Sequence, residues 1–363
     1  MSGWVQRARH ERKACGVSTL RLFGWQSSQE VKMQSAALDV VAVGNAIVDI
    51  QHLVTEDFLS RHGIVRNSMT LIDEEHALYL TAYFSDAKVA SGGSAANTVT
   101  GVASFGGQAG YIGKVADDAL GAQFTQEFRA VGVKYATTPF AGPPGTARCL
   151  IAITPDGDRS MNTYLGCSTL LSQSDLDADL IRSGRILFLE GYLFDREEAK
   201  HAFVAAAEIA RAAERKVALT LSDLFCVERH RDSFRHLVHG HIDVLFANEA
   251  ELLALYQTED FDAAVAEARK HCPIVAVTRS EKGSIIAAGE DTFVVTAAPV
   301  ANVIDTTGAG DLYAAGFLWG ISTGKTFGDC GRLGSIAAGE VISHVGPRPE
   351  APLKLLAQAQ GLG

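Results

Sequence analysis

Short apolar runs alternate with longer amphipathic stretches along most of this chain. Residues 38–50 (LDVVAVGNAIVDI) are rich in Val and Ile, break at Gly44-Asn45 and resume towards Asp49. A run without polar alternation suits a strand covered on both faces of a sheet. From residue 185 onward the rhythm is regular. It predicts strands over 186–190, 216–221, 244–247, 274–278 and 284–288, and helices over 196–214, 249–256, 261–271, 312–323, 326–343 and 351–359. Strands separated by helices imply a mostly parallel sheet with helices on both sides. The fold class is α/β, built as α/β/α layers.

The first half follows the same rhythm with one departure. Strands are expected over 68–72 and 110–115, helices over 74–84, 91–105 and 119–131, and Gly132-Val133 starts another extended segment. Residues 146–154 and 160–164 are both extended. They flank Pro155-Asp156-Gly157-Asp158-Arg159, where Asp-Gly marks a tight turn. This β-hairpin stands off the main sheet.

Composition narrows the class. The 363 residues are 47% hydrophobic and 20% charged, enough for a sizeable core. No Pro/Gly-rich linker divides 36–363, and no apolar run approaches the ~20 residues of a membrane span. The net charge of −10 argues against nucleic acid as the main partner. Six cysteines (15, 149, 167, 226, 272, 330) form no C-x-x-C, which fits thiols in a reducing, cytoplasmic setting. Residues 1–35 carry a net +4 against −14 for the remainder. This extension is Arg-rich and acid-poor, as transit peptides are. A dispensable disordered tail, or a true start at Met33, is the favoured reading over targeting.

The most informative chemistry lies at 303–317 (VIDTTGAGDLYAAGF). An apolar segment ends at Asp305, a small-residue loop follows, and a helix begins. Small residues let backbone N–H groups converge, and a helix start adds free donors and partial positive charge. That makes an anion site with Asp311 at its rim, where a carboxylate suits proton abstraction; an N-capping Asp is the plain alternative. Upstream, Asp49 ends an apolar strand and suits vicinal hydroxyls, or simply a turn. Gly92-Gly93 with Asn97 at a helix start supplies close backbone approach and one amide, or tight packing. Asn248 and Glu251 stand at capping-box spacing, and equally suit an outer shell for hydrated Mg²⁺. Residues 278–283 form a polar turn able to wrap a nucleotide. Two decoys fall away. Residues 320–326 have only three residues between the glycines where a P-loop has four. His236, His239 and His241 lack a partner at zinc spacing.

Together these motifs resemble the ribokinase/PfkB family of small-molecule kinases over about 38–350, and most nearly its adenosine kinase branch. The likeness rests on Asp305–Asp311, on Ser91–Asn97 and on Asn248–Glu251, with Gly44-Asn45, Asp49-Ile50, Asp158-Arg159-Ser160 and Gly346-Pro347. It implies a ribokinase-like fold with a small β lid from about 46–72 and 146–165, and ATP with Mg²⁺ as phosphoryl source. It implies Asp311 as base, Gly308, Ala309 and Gly310 as anion hole, and Arg159 reaching the phosphate from the lid. Asn45, Asp49, Gly92, Gly93 and Asn97 would hold a sugar, and Phe225 a base. Thr278 and Gly283 would line the ATP groove, with Ala338 and Ile342 flanking adenine. Glu251 would hold Mg²⁺ through water, and a monovalent cation such as K⁺ would sit beside Asp305. The partner is then a small molecule, and the assembly a monomer or homodimer. Residues 67–72 contain no Gln, where animal adenosine kinases offer glutamines. Nucleosides and free sugars therefore both stay open as acceptors.

Overall fold

The computed structural model describes residues 36–363. The expectations for the extension fall outside the described residues. In chain order the strands are β1 (Leu38–Val43), β2 (Ile47–Leu53), β3 (Met69–Leu71), β4 (Lys88–Gly92), β5 (Ala109–Ile112), β6 (Lys134–Tyr135), β7 (Ala147–Ile153), β8 (Arg159–Tyr164), β9 (Gly184–Glu190), β10 (Lys216–Thr220), β11 (Val244–Asn248), β12 (Ile274–Thr278), β13 (Ser284–Ala288) and β14 (Asp291–Val295). They build two sheets. The larger runs β14-β13-β12-β11-β10-β9-β1-β5-β6, and the smaller β3-β8-β7-β2-β4. In the larger sheet β12, β11, β10, β9, β1, β5 and β6 are parallel, while β13 pairs antiparallel with β12 and β14 antiparallel with β13.

Alternate residues of the central strands feed two cores. Val40, Ala42, Phe188, Ala218, Phe246 and Ala276 face the helices Ser94–Ser104, Ala309–Ser322 and Phe327–Val341. Val41, Val43, Leu187, Leu189, Val217 and Leu219 face Glu197–Ala212, Leu224–Gly240 and Glu249–Tyr256. This is the α/β/α layering, with the second sheet as the lid. Among the described residues no helix is long and apolar enough to cross a membrane.

The break at Gly44-Asn45 is where the chain leaves the main sheet: β1 pairs with β5 and β9, whereas β2 pairs with β4 and β7 in the lid. The lid therefore takes in β4, beyond the two segments expected. Lys88–Gly92 has neither a long apolar run nor a bulky alternation, and its pairing with β2 decides its state. The helix Leu224–Gly240 also gave little sequence signal. It is polar, buries only Cys226, Val227, Phe234, Leu237 and Val238, and is kinked at His230, which resets its phase.

The helices Ala309–Ser322 and Phe327–Val341 cross at glycines. A Cβ on Gly316 would lie 2.5 Å from the Leu333 backbone, and one on Gly334 2.7 Å from the Tyr313 carbonyl. This close crossing anchors the helix whose first turn carries Asp311. Gly316→Ala is expected to lower stability by about 1–3 kcal/mol, as overpacking does. Urea unfolding of the variant beside the wild type checks it.

Candidate active site

A cleft of about 1260 Å³ runs along the carboxyl ends of the parallel strands, floored by the main sheet and roofed by the lid. Asn45, Asp49, Gly93, Asn97, Phe225, Asn248, Glu251, Thr278, Gly283, Gly308, Ala309, Gly310, Asp311, Ala338 and Ile342 all border it. Gly92, Arg159 and Asp305 stand behind its surface. The strands explain the convergence: in an open parallel sheet the loops that follow them share one edge.

The loop before the Ala309–Ser322 helix is shaped by two different glycines. Gly308 has φ 81°, and a Cβ there would meet the Pro347 carbonyl at 2.7 Å. Gly310 has neither constraint. A Cβ on it would meet no atom within 4 Å among the described residues beyond its chain neighbours and its own helix backbone. Among the described residues nothing outside its own turn fills that space, and the first-turn N–H groups of a helix have no partner within it. A phosphoryl anion fits this cradle. Ala309 contributes less than expected, because its N–H turns back to the Thr306 carbonyl at 3.2 Å.

Asp311 is held from the facing helix start. Ser94 Oγ donates to its Oδ1 at 2.5 Å and Asn97 Nδ2 to its Oδ2 at 3.0 Å. Burial pushes its carboxyl up, and these two donors pull it partly back. Asp49, on β2 of the lid, is buried in room left by Gly92, where a Cβ would strike the carboxylate at 2.5 Å. Burial raises its pKa from 3.8 to about 6, against the pull of Arg159 and Arg348. Gly93 has φ 101° and lies against the Asn45 carbonyl.

On the far wall Asn248 and Glu251 form a capping box. Asn248 Oδ1 accepts from the Glu251 N–H at 2.8 Å, and Glu251 accepts from the Asn248 N–H at 2.9 Å and Nδ2 at 2.6 Å. The capping role is thus present whatever else the pair does. Burial pushes Glu251 up to about 7, and neighbouring Asp223 adds to the rise. Two carboxylates and an amide on one wall are a donor set that suits a hydrated divalent cation carried with phosphates. Among the described residues no group of three or more His, Cys, Asp or Glu is arranged to hold a metal alone. Phe225 starts the neighbouring helix, half exposed, with the Arg229 guanidinium 4.9 Å from its ring centre.

Arg159 and Asp305 depart from expectation. The lid arginine is buried and pairs through Nη1 with Asp305 Oδ2. That oxygen also accepts the Gly346 N–H at 2.9 Å, and Oδ1 accepts the Thr307 N–H at 3.0 Å. The carboxylate is already offset and hydrogen-bonded on both oxygens, so a monovalent cation beside it does not fit this arrangement. Arg159 Nε and Nη2 are buried without a protein partner among the described residues.

Sequence reasoning passed over Glu190, Ser94 and Arg348. Glu190 ends β9, is buried, and is pushed by burial to about 7. Its signal, an acid closing an apolar strand, is the one that marks Asp49. Arg348 Nε lies 3.5 Å from Asn97 Oδ1, and no local pattern announces it.

A carboxyl raised on folding gives stability that is fully present below its ordinary value and lost as pH rises through its folded value. For Asp49 that window runs from about 4 to about 6. Between pH 4 and pH 8 the ligand-free wild type is expected to lose about 2–3 kcal/mol relative to Asp49→Asn. Paired urea titrations across that range check it.

Known proteins share this arrangement. The family described as pfkB family carbohydrate kinase matches residues 62–354. An adenosine kinase from Sinorhizobium meliloti superposes with a TM-score of 0.84 at 48% identity, covering 90% of this chain and 100% of that one. A probable sugar kinase from Rhizobium etli CFN 42 does so with a TM-score of 0.85 at 46% identity and the same coverage. The adenosine kinase of Saccharomyces cerevisiae is 26% identical over 330 residues, 85% of this chain and 96% of that protein. The match spans both the lid hairpin and the Asp311 loop. The chain therefore belongs to the pfkB family of carbohydrate kinases, phosphotransferases with a ribokinase-like α/β fold.

Proposed function

We propose that this chain transfers the terminal phosphoryl group of ATP to a primary hydroxyl, the 5′-OH of a nucleoside. The observation that carries the reading is Asp311, held by Ser94 and Asn97 beside the open cradle at Gly310 and in the same cleft as Asp49. Asp311 accepts the hydroxyl proton. The N–H groups of Gly308, Gly310 and Asp311 stabilise charge developing on the phosphoryl oxygens, and positioning does much of the rest. Asp49 and Asn45 hold ribose hydroxyls, with Gly92, Gly93 and Asn97 shaping the sugar pocket. Arg159 keeps Nη1 on Asp305 and offers Nε and Nη2 to the phosphoryl group. The lid shields the reaction from water, which would compete as acceptor.

Kinases of this family use ATP with Mg²⁺. Asn248 and Glu251 would hold the ion through water, and when bound it offsets charge on the phosphates. Thr278 and Gly283 line the nucleotide groove, and Ala338 and Ile342 flank its adenine. Ile47, Met69, Leu71, Ile151, Met161 and Leu165 give the acceptor side an apolar roof. A flat base fills such a surface, which a free sugar would leave uncovered. The similarity to the Sinorhizobium meliloti adenosine kinase supports the same acceptor. A free-sugar kinase is the second reading, favoured by the nearly equal likeness to the Rhizobium etli protein.

ADP release measured with adenosine, other nucleosides, ribose and fructose, with and without K⁺, separates them. Turnover on nucleosides that K⁺ changes less than twofold is expected; turnover on free sugars alone overturns the acceptor. Asp311→Asn is expected to lower turnover by at least about 10²-fold, the scale of general base catalysis, with ATP affinity by calorimetry nearly unchanged. Activity within tenfold of wild type removes Asp311 as the base.

A further inference from the structure

Gly346, Pro347 and Arg348 follow one another in the chain, and each touches a different part of the site. The Gly346 N–H donates to Asp305 Oδ2 at 2.9 Å, and a Cβ on Gly308 would lie 2.7 Å from the Pro347 carbonyl. Arg348 Nε donates to Asn97 Oδ1 across a long 3.5 Å, and the guanidinium lies 5.3 Å from the centre of the Phe128 ring. Its Nη2 is buried without a partner among the described residues. Glu127 from the Ala119–Ala130 helix, Asp49 from β2 and Tyr111 from β5 are the titratable groups that face it. A guanidinium nitrogen held out of water and unpaired is costly. Packing on Phe128 offsets part of that cost, but a methionine would keep the packing without the charge.

Asn97 stands between Arg348 and Asp311. Its Nδ2 donates to Asp311 Oδ2 at 3.0 Å. A guanidinium can only donate, so the amide oxygen must face Arg348 and the nitrogen must face Asp311. While Asp311 is ionised it enforces that orientation unaided. Once it has taken a proton it can donate as well, and a free amide would turn its oxygen towards it. Arg348 opposes that turn, because the reversed amide would set its NH2 group against the guanidinium. Ser94 Oγ, on the other carboxylate oxygen, can donate or accept and so favours neither state strongly.

We propose that Arg348 is a positioning residue for phosphoryl transfer, locking the Asn97 amide so that Asp311 meets a donor in either protonation state. In the transfer the acceptor O–H bond breaks and its proton bonds to Asp311. The lock favours release of that proton to water, which returns Asp311 to its accepting form for the next turnover. This role rests on the kinase reading above and names what resets its base. Asp49, Glu190 from β9 and Tyr192 just beyond it are the titratable groups coupled in charge to Asp311, whereas Arg348 reaches it through Asn97.

The test is kcat against pH at saturating ATP, with the acceptor of highest turnover among those named above, also saturating. It compares full-length wild type, Arg348→Met, Arg348→Lys, Asn97→Ala and the double variant of Arg348→Met with Asn97→Ala. The acid limb of kcat then reports the base in the complex. Arg348→Met is expected to move that limb up by about 0.5–1 pH unit, since an amide free to turn favours the protonated carboxyl. Arg348→Lys, which also can only donate, should keep it within about 0.3 unit of wild type. In the Asn97→Ala background the Met change should move it by less than about 0.2 unit, because Arg348 acts through Asn97. An unmoved limb in Arg348→Met, the same shift in Arg348→Lys, or an equal shift with and without Asn97 overturns the assignment. If Arg348→Met does not fold, Arg348→Gln, whose own amide can reverse, takes its place under the same criteria. If neither folds, Asn97→Ala alone must raise the limb, and an unmoved limb ends the assignment. A wild type that turns over no acceptor refutes the kinase reading itself. The lock is then read from the Asp311 carboxyl by carbon NMR, with Asp311→Asn identifying the signal: its pKa must rise in Arg348→Met, and the lock fails if it does not.

Discussion

Negative charge buried at one edge of a sheet is the constraint on which the rest of this structure depends. Asp49, Glu190, Glu251 and Asp305 are all buried, and Asp311 joins them in the same region. An isolated buried carboxylate is costly, and burial raises the pKa of four of the five. Backbone and side-chain donors share in offsetting that cost. Asn45, Ala95, Asn248, Thr307 and Gly346 each direct an N–H at one of these groups. A parallel sheet sets the starts of its following helices along its carboxyl edge, where unpaired N–H groups gather. The fold and the acidic site are therefore not independent choices.

The same division explains what could be read along the chain. Strands 274–278 and 284–288 and helix 249–256 match the structure to the residue, because each is an apolar or capped segment with a local boundary. The loop 305–311 was legible for a similar reason: its density of small residues has a local geometric meaning. Glu190, Ser94 and Arg348 were not. Their partners lie 145, 217 and 251 positions away, and no short-range pattern encodes such a meeting. β4 was missed because only its partner β2 gives it a reason to be extended, and the helix Leu224–Gly240 because its kink divides an already thin apolar stripe.

Asp305 meets a partner that its local sequence does not announce. The carboxylate does close the strand-like segment ahead of the anion cradle. The countercharge it meets arrives from residue 159, in the lid. Sequence proximity gives no hint of this, since Arg159 starts β8 in the lid and Asp305 lies 146 positions on, in the loop before the Ala309–Ser322 helix.

That pairing makes lid position and the electrostatics of the cradle one variable. Moving the lid outward would separate Arg159 from Asp305 and leave an arginine and an aspartate in surroundings built for a pair, an unfavourable outcome for a buried interaction. The guanidinium also has Nε and Nη2 buried without a protein partner among the described residues, so on the proposed reading an anion entering the cradle need not displace it from Asp305. A lysine at 159 would bring the same charge to Asp305. It would lack the planar fork that, in the proposed reaction, lets one side chain serve a carboxylate and a phosphoryl group together. On the proposed reading arginine is required here by the number of its donors, beyond its charge, and the lid must be down for both sets to be used.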